Sequence, residues 1–454
     1  MKNNFFIAIT NQKGEFSILS ENAPLPSGWE KLSEKNDLET CVNFLQNKWE
    51  ELDNKGQCPI SFPIQGVDYN RLEIDPLQKE LIRLKRLLWI RPPYGDNAWL
   101  ISNYKDVRSV LRDKRFSRQQ CPFHNESRLT PHPLDTSIMG LDEPDHTRIR
   151  GVLDSIFNVT TSMALKDKIE KSAHELIDLV ETLSQPIDLV EDFVIPFSGL
   201  TICELMGVPF KDRSKFRIWL DSFSSTTLLD ANQVAENMDA MHAYMAELIE
   251  IKRKNLSDDL ISGLTKANEE GKLSNRELIE LITVLLIAGH DTVSAQLMIS
   301  LFVILSDPKL TQQLQKNPSL STNAIKELLR YVPVDAYITF ARYAKEDIIM
   351  NDSTLIKKGD AILPSLISAN HDPEIFDNPY SLNLNRAKNP HLMLGAGIHN
   401  CPGGLLGMIE IETGICTLFK RFPNISLAVS PRDIKFREGL QVRSIHKLPI
   451  NLNQ

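Results

Sequence analysis

A long segment without a polar face constrains the fold of this chain more than any other feature. From Leu278 to Leu301 the residues are apolar nearly all round when they are placed on a helical period. Such a helix must be enclosed by other elements, because a helix at the surface keeps one polar face. A chain of 454 residues is long enough to build the enclosure. The segment therefore predicts a central, buried helix.

A short run inside this helix has the composition of a reactive site. Ala288 and Gly289 have little or no side chain and would open a groove in the helix wall, and Asp291 and Thr292 follow them. A carboxylate and a hydroxyl beside a groove can deliver protons to a reacting atom. This interpretation makes Asp291 and Thr292 candidate catalytic residues. The alternative is a glycine kink with polar capping.

A cysteine follows a glycine-rich turn in Leu394-Gly-Ala-Gly-Ile-His-Asn-Cys401-Pro-Gly-Gly404. Gly395 and Gly397 permit a tight turn, and Pro402 suits the first position of a helix over residues 405–419. A helix N-terminus lowers the pKa of a thiol, so the sequence predicts a thiolate at Cys401. Such a thiolate can ligate haem iron. The alternative is an ordinary buried cysteine.

This loop resembles the haem-binding signature of the cytochromes P450, Phe-Gly-x-Gly-x-His-x-Cys-x-Gly. It departs from the family at Leu394, where an aromatic residue is usual, and at Gly407 and Met408, whereas Glu410 fits. The run from Ala288 to Thr292 resembles the family's Ala-Gly-x-Asp/Glu-Thr motif. The resemblance implies a mainly α fold with a smaller β-region. It also implies haem b with Cys401 as the axial iron ligand, and insertion of one oxygen atom from dioxygen into a substrate.

The same resemblance implies roles for further residues. Glu327 and Arg330 share a helix face, and with Arg386 they resemble a buried structural triad of the family. Asp335 is a candidate partner for a substrate amine. The residues expected to contact haem, besides Cys401, are His146, Arg150, Arg342, His399, Ala288, Gly289, Leu394 and Gly395.

The first fifty residues have a separate pattern. Phe5, Ile7 and Ile9 alternate and predict a strand, residues 11–14 predict a turn, and residues 15–19 predict a second strand. A helical stripe follows at Leu38, Cys41, Val42, Leu45, Trp49 and Leu52. A unit this small is marginal alone, so we expect it to pack on a partner or on the rest of the chain.

Three motifs of this segment resemble the MbtH-like proteins, which bind adenylation domains of nonribosomal peptide synthetases. They are Gly14-x-x-Ser17, Pro26-x-Gly28-Trp29, and Cys41 with Trp49. The resemblance implies a small α+β domain, an antiparallel sheet plus a helix, with Ser17 and Trp29 as partner-binding residues. Leu19-Ser20 replaces the family's Trp-Pro, and the Arg-Pro expected after Trp49 is missing. The alternative is a relic that only packs on the oxygenase.

We predict an MbtH-like domain over residues 1–53, a linker over 54–65 and a cytochrome P450 domain over 66–454. A formal net charge of −8 without a long basic run argues against a nucleic-acid partner. Six scattered cysteines indicate a reducing compartment. We find no stretch approaching the roughly 20 apolar residues of a membrane-spanning helix, so we expect a cytoplasmic protein without a membrane anchor.

Our leading hypothesis is hydroxylation, at the β-carbon, of an amino acid bound to a carrier protein in nonribosomal peptide biosynthesis, a branch of secondary metabolism. The N-terminal module would bind the adenylation domain. We expect electrons from a ferredoxin and ferredoxin reductase or a similar donor, since no such module is fused. Two alternatives stay open. One is oxidation of a free amino acid, a finished peptide or another small molecule, and the other is a non-catalytic scaffold of the MbtH type.

Overall fold

A computed structural model describes residues 5–52, 57–63, 72, 74–131, 133, 137–332, 334 and 340–452. Asp335 and parts of the predicted linker therefore lie outside the described residues. The strands are β1 Phe6–Asn11, β2 Phe16–Ser20, β3 Trp29–Lys31, β4 Ile60–Ser61, β5 Leu88–Arg91, β6 Ala98–Ile101, β7 Phe116–Ser117, β8 Ile187–Asp188, β9 Arg342–Ala344, β10 Ile348–Ile349, β11 Leu355–Ile356, β12 Ala361–Pro364, β13 Ser426–Leu427 and β14 Pro449–Asn451.

Helices make up most of the regular structure, as the resemblance to the cytochromes P450 implied. They are α1 Leu38–Glu51, α2 Pro76–Leu84, α3 Tyr104–Arg112, α4 Asp145–Ile156, α5 Val159–Ala164, α6 Lys166–Glu181, α7 Ile195–Met206, α8 Arg213–Ser224, α9 Ala231–Lys254, α10 Leu260–Glu269, α11 Asn275–Ser306, α12 Pro308–Lys316, α13 Thr322–Tyr331, α14 Leu366–Ala369 and α15 Gly404–Arg421.

The chain divides into two compact units. The first unit takes in residues 1–135, 337–381 and 391–399, and the second takes in residues 136–336, 382–390 and 400–454. The first unit contains a sheet whose described strands lie in the order β3-β1-β2-β4-β5-β6-β12-β9-β7. The pair β10–β11 forms a separate hairpin in the same unit.

The N-terminal strands and helix form where the sequence predicts them. Strands β1 and β2 pair antiparallel, and Gly14 closes the turn between them with a φ of 73°. The Asp37 carboxylate caps α1 by accepting a hydrogen bond of 2.8 Å from the Thr40 N–H. Strand β3 was not predicted. Leu52 follows the last residue of α1 and is 60% exposed, so its assignment to the helical apolar stripe was wrong.

A two-residue strand lies within the segment that we expected to be a linker. Ile60 of β4 pairs in parallel with Phe16 of β2 and with Ile90 of β5. One continuous apolar core lies against these strands and includes residues of β1, β2, α1, β4, α2 and β5. The N-terminal strands and the strands beyond residue 66 therefore belong to one sheet.

Helix α11 is the centre of the second unit and confirms the prediction of a central, buried helix. Helices α7, α8, α9, α10, α12 and α15 pack against it. It begins with a capping box, in which the Glu277 carboxylate accepts a 2.7 Å hydrogen bond from the Ser274 N–H. A three-stranded antiparallel sheet, β13-β14-β8, completes the unit.

Helix α11 also bears on the question of a membrane segment. Among the described residues it is the one helix long and apolar enough to cross a membrane, so our statement that no stretch approaches this composition was wrong. More than half of its most apolar window, 56%, is buried inside the protein. The core helix of a soluble protein has the same length and composition, so α11 is weak evidence for a membrane span.

Candidate functional site

One face of α11 is open although the helix is otherwise enclosed. Ala288 and Thr292, one turn apart, are exposed, whereas Ile287 and His290 beside them are buried. The Thr292 hydroxyl donates a 2.7 Å hydrogen bond to the Ala288 carbonyl oxygen. Such a bond to the preceding turn holds the hydroxyl against the helix. The second unit therefore has an uncovered helix face that carries one hydroxyl group.

Gly289 serves the packing of α11 rather than the open face. A Cβ atom added at Gly289 would lie 2.6 Å from Cδ1 of Ile202 on α7. Real Cβ atoms do not approach other atoms so closely, so a larger residue at this position would require the end of the Ile202 side chain to shift. Ala288 and Gly289, which we expected to open one groove together, therefore lie on different sides of the helix.

The Asp291 carboxylate is held by a residue that the sequence analysis missed. The Ser224 hydroxyl, at the end of α8, donates a 2.7 Å hydrogen bond to Asp291 Oδ2. Burial raises the pKa of Asp291 to about 6, while the Ser224 hydrogen bond opposes the rise and the charge of Asp221 adds to it. Among the described residues no hydrogen bond joins Asp291 to Thr292. Asp291 is therefore a group that exchanges protons near neutral pH, on a different side of α11 from Thr292.

An ion pair and a backbone contact fix the position of Ser224. The Arg437 guanidinium donates hydrogen bonds of 2.8 and 2.7 Å to the two carboxylate oxygens of Asp221 on α8. The Gln441 N–H donates a 2.7 Å hydrogen bond to the Ser224 carbonyl oxygen. These contacts hold the end of α8 on the segment from 437 to 441. Nothing in the local sequence around Ser224 would have indicated this arrangement.

A second set of buried polar side chains consists of Ser198 on α7, His290 on α11 and Glu410 on α15. The Ser198 hydroxyl donates a 3.3 Å hydrogen bond to the His290 carbonyl oxygen. Burial lowers the pKa of His290 to about 4. Burial also raises the pKa of Glu410 well above its ordinary value, against a hydrogen bond with Ser198. Burial therefore favours the neutral form of both side chains, which lets them lie in the interior.

Cys401 lies just before α15 and is exposed. The Arg150 guanidinium on α4 donates a 2.7 Å hydrogen bond to the carbonyl oxygen of Asn400 and so anchors the cysteine loop. Although the side chain is accessible, desolvation by the protein atoms around the thiol raises the pKa of Cys401, and the Gly403 N–H and the Arg150 charge lower it less. The surroundings of the thiol therefore offset the helix N-terminus, and the thiolate predicted at Cys401 is the form that would ligate iron. Cys401 would be held as a thiolate when iron is bound, because a coordinating thiol is deprotonated outright.

The helix after the cysteine begins later than the proline pattern indicated. Its first residue is Gly404, and Gly403 is its N-cap, so Pro402 does not occupy the first helical position. The glycines of the loop are required by its geometry. Gly395 and Gly397 have φ angles of 74° and 75°, and a Cβ atom at Gly397 would lie 2.4 Å from the Leu111 carbonyl oxygen. Side-chain-bearing residues rarely adopt such angles.

The predicted haem contacts are distributed over both units. The second unit holds Cys401, Arg150, Ala288, Gly289 and a buried His146 on α4, whose pKa is lowered by burial. The first unit holds Leu394, Gly395, His399 and Arg342, which is buried in β9. The chemistry of this set fits a haem. A soft sulfur ligand suits the iron, and guanidinium and imidazole donors suit the carboxylates of the propionates.

Glu327, Arg330 and Arg386 meet in the interior of the second unit. Arg330 Nε and Arg386 Nε each donate a 2.8 Å hydrogen bond to Glu327 Oε2. Glu327 also accepts hydrogen bonds from the Asn383 N–H at 3.0 Å and the Asn389 side chain at 3.0 Å. Burial alone would raise the pKa of Glu327, but the hydrogen bond and charge of Arg330 with these other donors hold it below its ordinary value. This carboxylate is thus ionised and fully satisfied.

The two predicted partner-binding residues of the N-terminal module have different surroundings. Trp29, at the start of β3, is partly buried and packs against a small cluster of Ile7, Ile9 and Leu19. Ser17 is 1% exposed, and its hydroxyl donates a 2.6 Å hydrogen bond to the Ser61 carbonyl oxygen of β4. The indole is therefore partly accessible to a partner, whereas the Ser17 hydroxyl is used within the chain.

Two family models match the chain. The model described as Cytochrome P450 matches residues 201–447, and the model described as MbtH-like protein matches residues 1–57. Among curated proteins, mycinamicin IV hydroxylase/epoxidase of Micromonospora griseorubida is 33% identical over 86% of this chain and 98% of its own length. Nocardicin C N-oxygenase of Nocardia uniformis subsp. tsuyamanensis is 33% identical over 84% of this chain and 96% of its own.

Solved structures have the same fold. A crystal structure of HinD with NMFT and NO has a TM-score of 0.84 and 42% sequence identity, and the match covers 87% of this chain and 100% of that one. A structure of the mixed-function P450 MycG has a TM-score of 0.79 at 33% identity, with 87% and 100% of the two chains covered.

Proposed function

The chain belongs to the cytochrome P450 family and carries an MbtH-like domain at its N-terminus, and on that premise we propose that it hydroxylates an amino acid bound to a carrier protein in nonribosomal peptide biosynthesis. Members of this family are haem-thiolate monooxygenases, and their named relatives here are hydroxylases and oxygenases. The observation that carries the proposal is the presence of both domains in one chain. MbtH-like domains bind adenylation domains, which load amino acids onto carriers.

The residues expected to contact haem support a monooxygenase. Cys401 would hold the haem iron, and Arg150, His146, Arg342 and His399 would receive the propionates. When it is bound, the haem supplies the activation of dioxygen and the insertion of one oxygen atom into a C–H bond. Ala288 has too small a side chain to obstruct the open face, so a flat ligand and a substrate can approach α11 there.

Asp291 and Thr292 have different roles in the proposed delivery of protons. The Thr292 hydroxyl carries its proton on the open face, and its Oγ1 atom lies 2.7 Å from the Ala288 carbonyl oxygen. The Asp291 carboxylate, with a pKa raised by burial to about 6, takes up and returns protons at neutral pH, where a general acid or base works best. We propose that Asp291 supplies the protons and that Thr292 positions one for the reaction.

The partners follow from the two domains. Cytochromes P450 usually receive electrons from redox partners, and we propose a ferredoxin and its reductase or a similar donor. We propose that the adenylation domain binds on the side of Trp29, and that the protein works in the cytoplasm next to the carrier protein. We retain residues 1–53, 54–65 and 66–454 as the proposed domain, linker and domain boundaries.

A spectral titration of the ferric protein tests the proposed substrate. Free amino acids are added first, and then the same amino acids loaded on a carrier protein, while the Soret band reports the loss of the water bound to iron. We expect a shift with one loaded carrier and none with unloaded carrier. A shift with free amino acids or a finished peptide, and none with any loaded carrier, would overturn the proposal and favour oxidation of a free compound.

A further inference from the structure

Strand β4 connects the N-terminal module to the oxygenase in an unusual way for two separate domains. Both of its edges are used. Ile60 pairs with Phe16 of the module on one side and with Ile90 of β5 on the other. Ser61 pairs with Arg91, and the Phe62 N–H extends this pairing with a 3.0 Å hydrogen bond to the Arg91 carbonyl oxygen. A flexible tether would leave these backbone groups to solvent.

Side-chain contacts reinforce the connection on the module's side. The Ser17 hydroxyl donates its 2.6 Å hydrogen bond to the Ser61 carbonyl oxygen in the interior. The side chain of Gln46 on α1 accepts a 2.8 Å hydrogen bond from the Cys58 N–H. The Arg91 guanidinium of β5 lies 4.0 Å from the Glu15 carboxylate of the module. Backbone hydrogen bonds, the hydrogen bond of the Ser17 hydroxyl and the Glu15–Arg91 ion pair therefore join the N-terminal module to β4 and β5.

The two sides also share their apolar core. Leu45 of α1 is fully buried in a cluster that contains Phe16 of the module, Ile60 of β4 and Leu81 of α2. Helix α2 of the oxygenase packs directly on β2. Because a small unit buries too little surface to be stable alone, a core that continues into the oxygenase supplies part of the burial that the module needs.

We propose that β4 makes the MbtH-like module an integral part of the oxygenase, so that the module and the first unit fold and unfold as one cooperative body. The module contacts the oxygenase through the edge of β2, which pairs with β4. That edge is therefore closed to strands of other proteins, and β3 forms the module's outer edge of the sheet. This inference does not depend on the substrate.

A core variant of the module, read out at the haem, tests the proposal. Leu45→Ala removes a fully buried side chain of α1, and Asn47→Ala, at an exposed position of the same helix, is the matched control. If the body is cooperative, Leu45→Ala lowers the temperature of Soret loss and the helix-melting temperature together, by about 5 °C. The control leaves both unchanged. A separate low-temperature melting step in Leu45→Ala, with Soret loss as in the wild type, would overturn the proposal.

Cleavage of the full-length holoenzyme gives a second test that does not depend on a destabilised variant. A protease site inserted after Leu52 lets the module be separated covalently from β4. We expect the cleaved module to stay with the oxygenase on size-exclusion chromatography at micromolar concentration, as the uncleaved protein does. A cleaved module that elutes alone and still melts cooperatively is an independent domain, contrary to the proposal.

Discussion

Thr292 and Asp291 are adjacent in the chain, but the helix turns their side chains toward different surroundings. Thr292 is exposed on the open face of α11, while the Asp291 carboxylate accepts a hydrogen bond of 2.7 Å from Ser224. The pKa of Asp291 is raised to about 6 by burial, whereas Thr292 has no charge to titrate. At the scale of single residues, the acid and the hydroxyl therefore have separable effects on the reaction.

Removing the Thr292 hydroxyl should affect coupling and spare haem binding. In Thr292→Ala we expect a normal haem-thiolate spectrum and about tenfold less product per electron pair consumed, because a positioned proton is lost. Thr292→Ser, which keeps the hydroxyl, should retain most of the coupling. Product and NADPH consumption measured together check the prediction. Coupling at the wild-type ratio in Thr292→Ala would contradict the role assigned to this residue.

Removing the Ser224 hydroxyl should shift the pH dependence of the reaction. The Ser224 hydrogen bond stabilises the ionised carboxylate and so lowers the pKa of Asp291. In Ser224→Ala this pKa therefore rises, and the limb of the pH–rate profile that belongs to Asp291 moves to higher pH by about half to one unit. Ser222→Ala is the control, because the Ser222 hydroxyl is on the same helix but forms its hydrogen bonds with Ile218 and Asn237. A profile that moves equally in both variants, or in neither, would exclude Ser224 as the positioning residue.

At the scale of elements, the same Glu-x-x-Arg spacing occurs in very different surroundings. Glu327 and Arg330 on α13 are fully buried, whereas Arg83, the partner of Glu80 on α2, is 58% exposed. An ion pair with a solvent-exposed partner, such as Arg83, contributes little to stability, but breaking a pair in which both partners are buried leaves a charge without its partner. Helix α13 and the segment carrying Arg386 therefore depend on one carboxylate.

Neutralising that carboxylate should destabilise the protein strongly. We expect Glu327→Gln to lower the free energy of unfolding by about 3–5 kcal/mol and Glu80→Gln by less than about 1 kcal/mol, as measured by urea denaturation. The pKa of Glu327 is held below its ordinary value of 4.5. The contribution is therefore fully present above pH 4.5 and is lost as the pH falls through the folded-state pKa. Equal losses of stability in the two variants would contradict a special role for the buried site.

At the scale of the whole molecule, binding of a partner to the N-terminal module should raise the temperature at which haem is lost. If an adenylation domain binds the module at a hundred times its dissociation constant, it stabilises the folded state by about 2.7 kcal/mol. Because the module shares its sheet and core with the first unit, we expect the temperature of Soret loss to rise by several degrees. Trp29→Ala should weaken the binding and the shift together. Binding without any change in Soret loss would show that the module is energetically separate.

Much of the fold could be predicted from local patterns. The alternation of Ile7 and Ile9 specified β1, the uniformly apolar run specified the enclosed α11, and the glycine-rich turn specified the cysteine loop. Each of these patterns works within one turn or one strand pair, where sequence neighbours are also neighbours in space. The same local rule misplaced the C-terminus of α1 at Leu52 and the N-terminus of α15 at Pro402, because helix ends depend on packing as well as on propensity.

The sequence by itself determined the elements and the reactive groups, namely Cys401, Asp291, Thr292 and the carboxylate with its two arginines. Only the tertiary structure decided how those groups are held and what their pKa values are. Ser224 meets Asp291 across 67 residues of chain, and burial raises the pKa of the Cys401 thiol despite the helix behind it. Strand β4 is two residues long, too short to have a pattern of its own. It forms because strands from both domains offer it backbone partners at once.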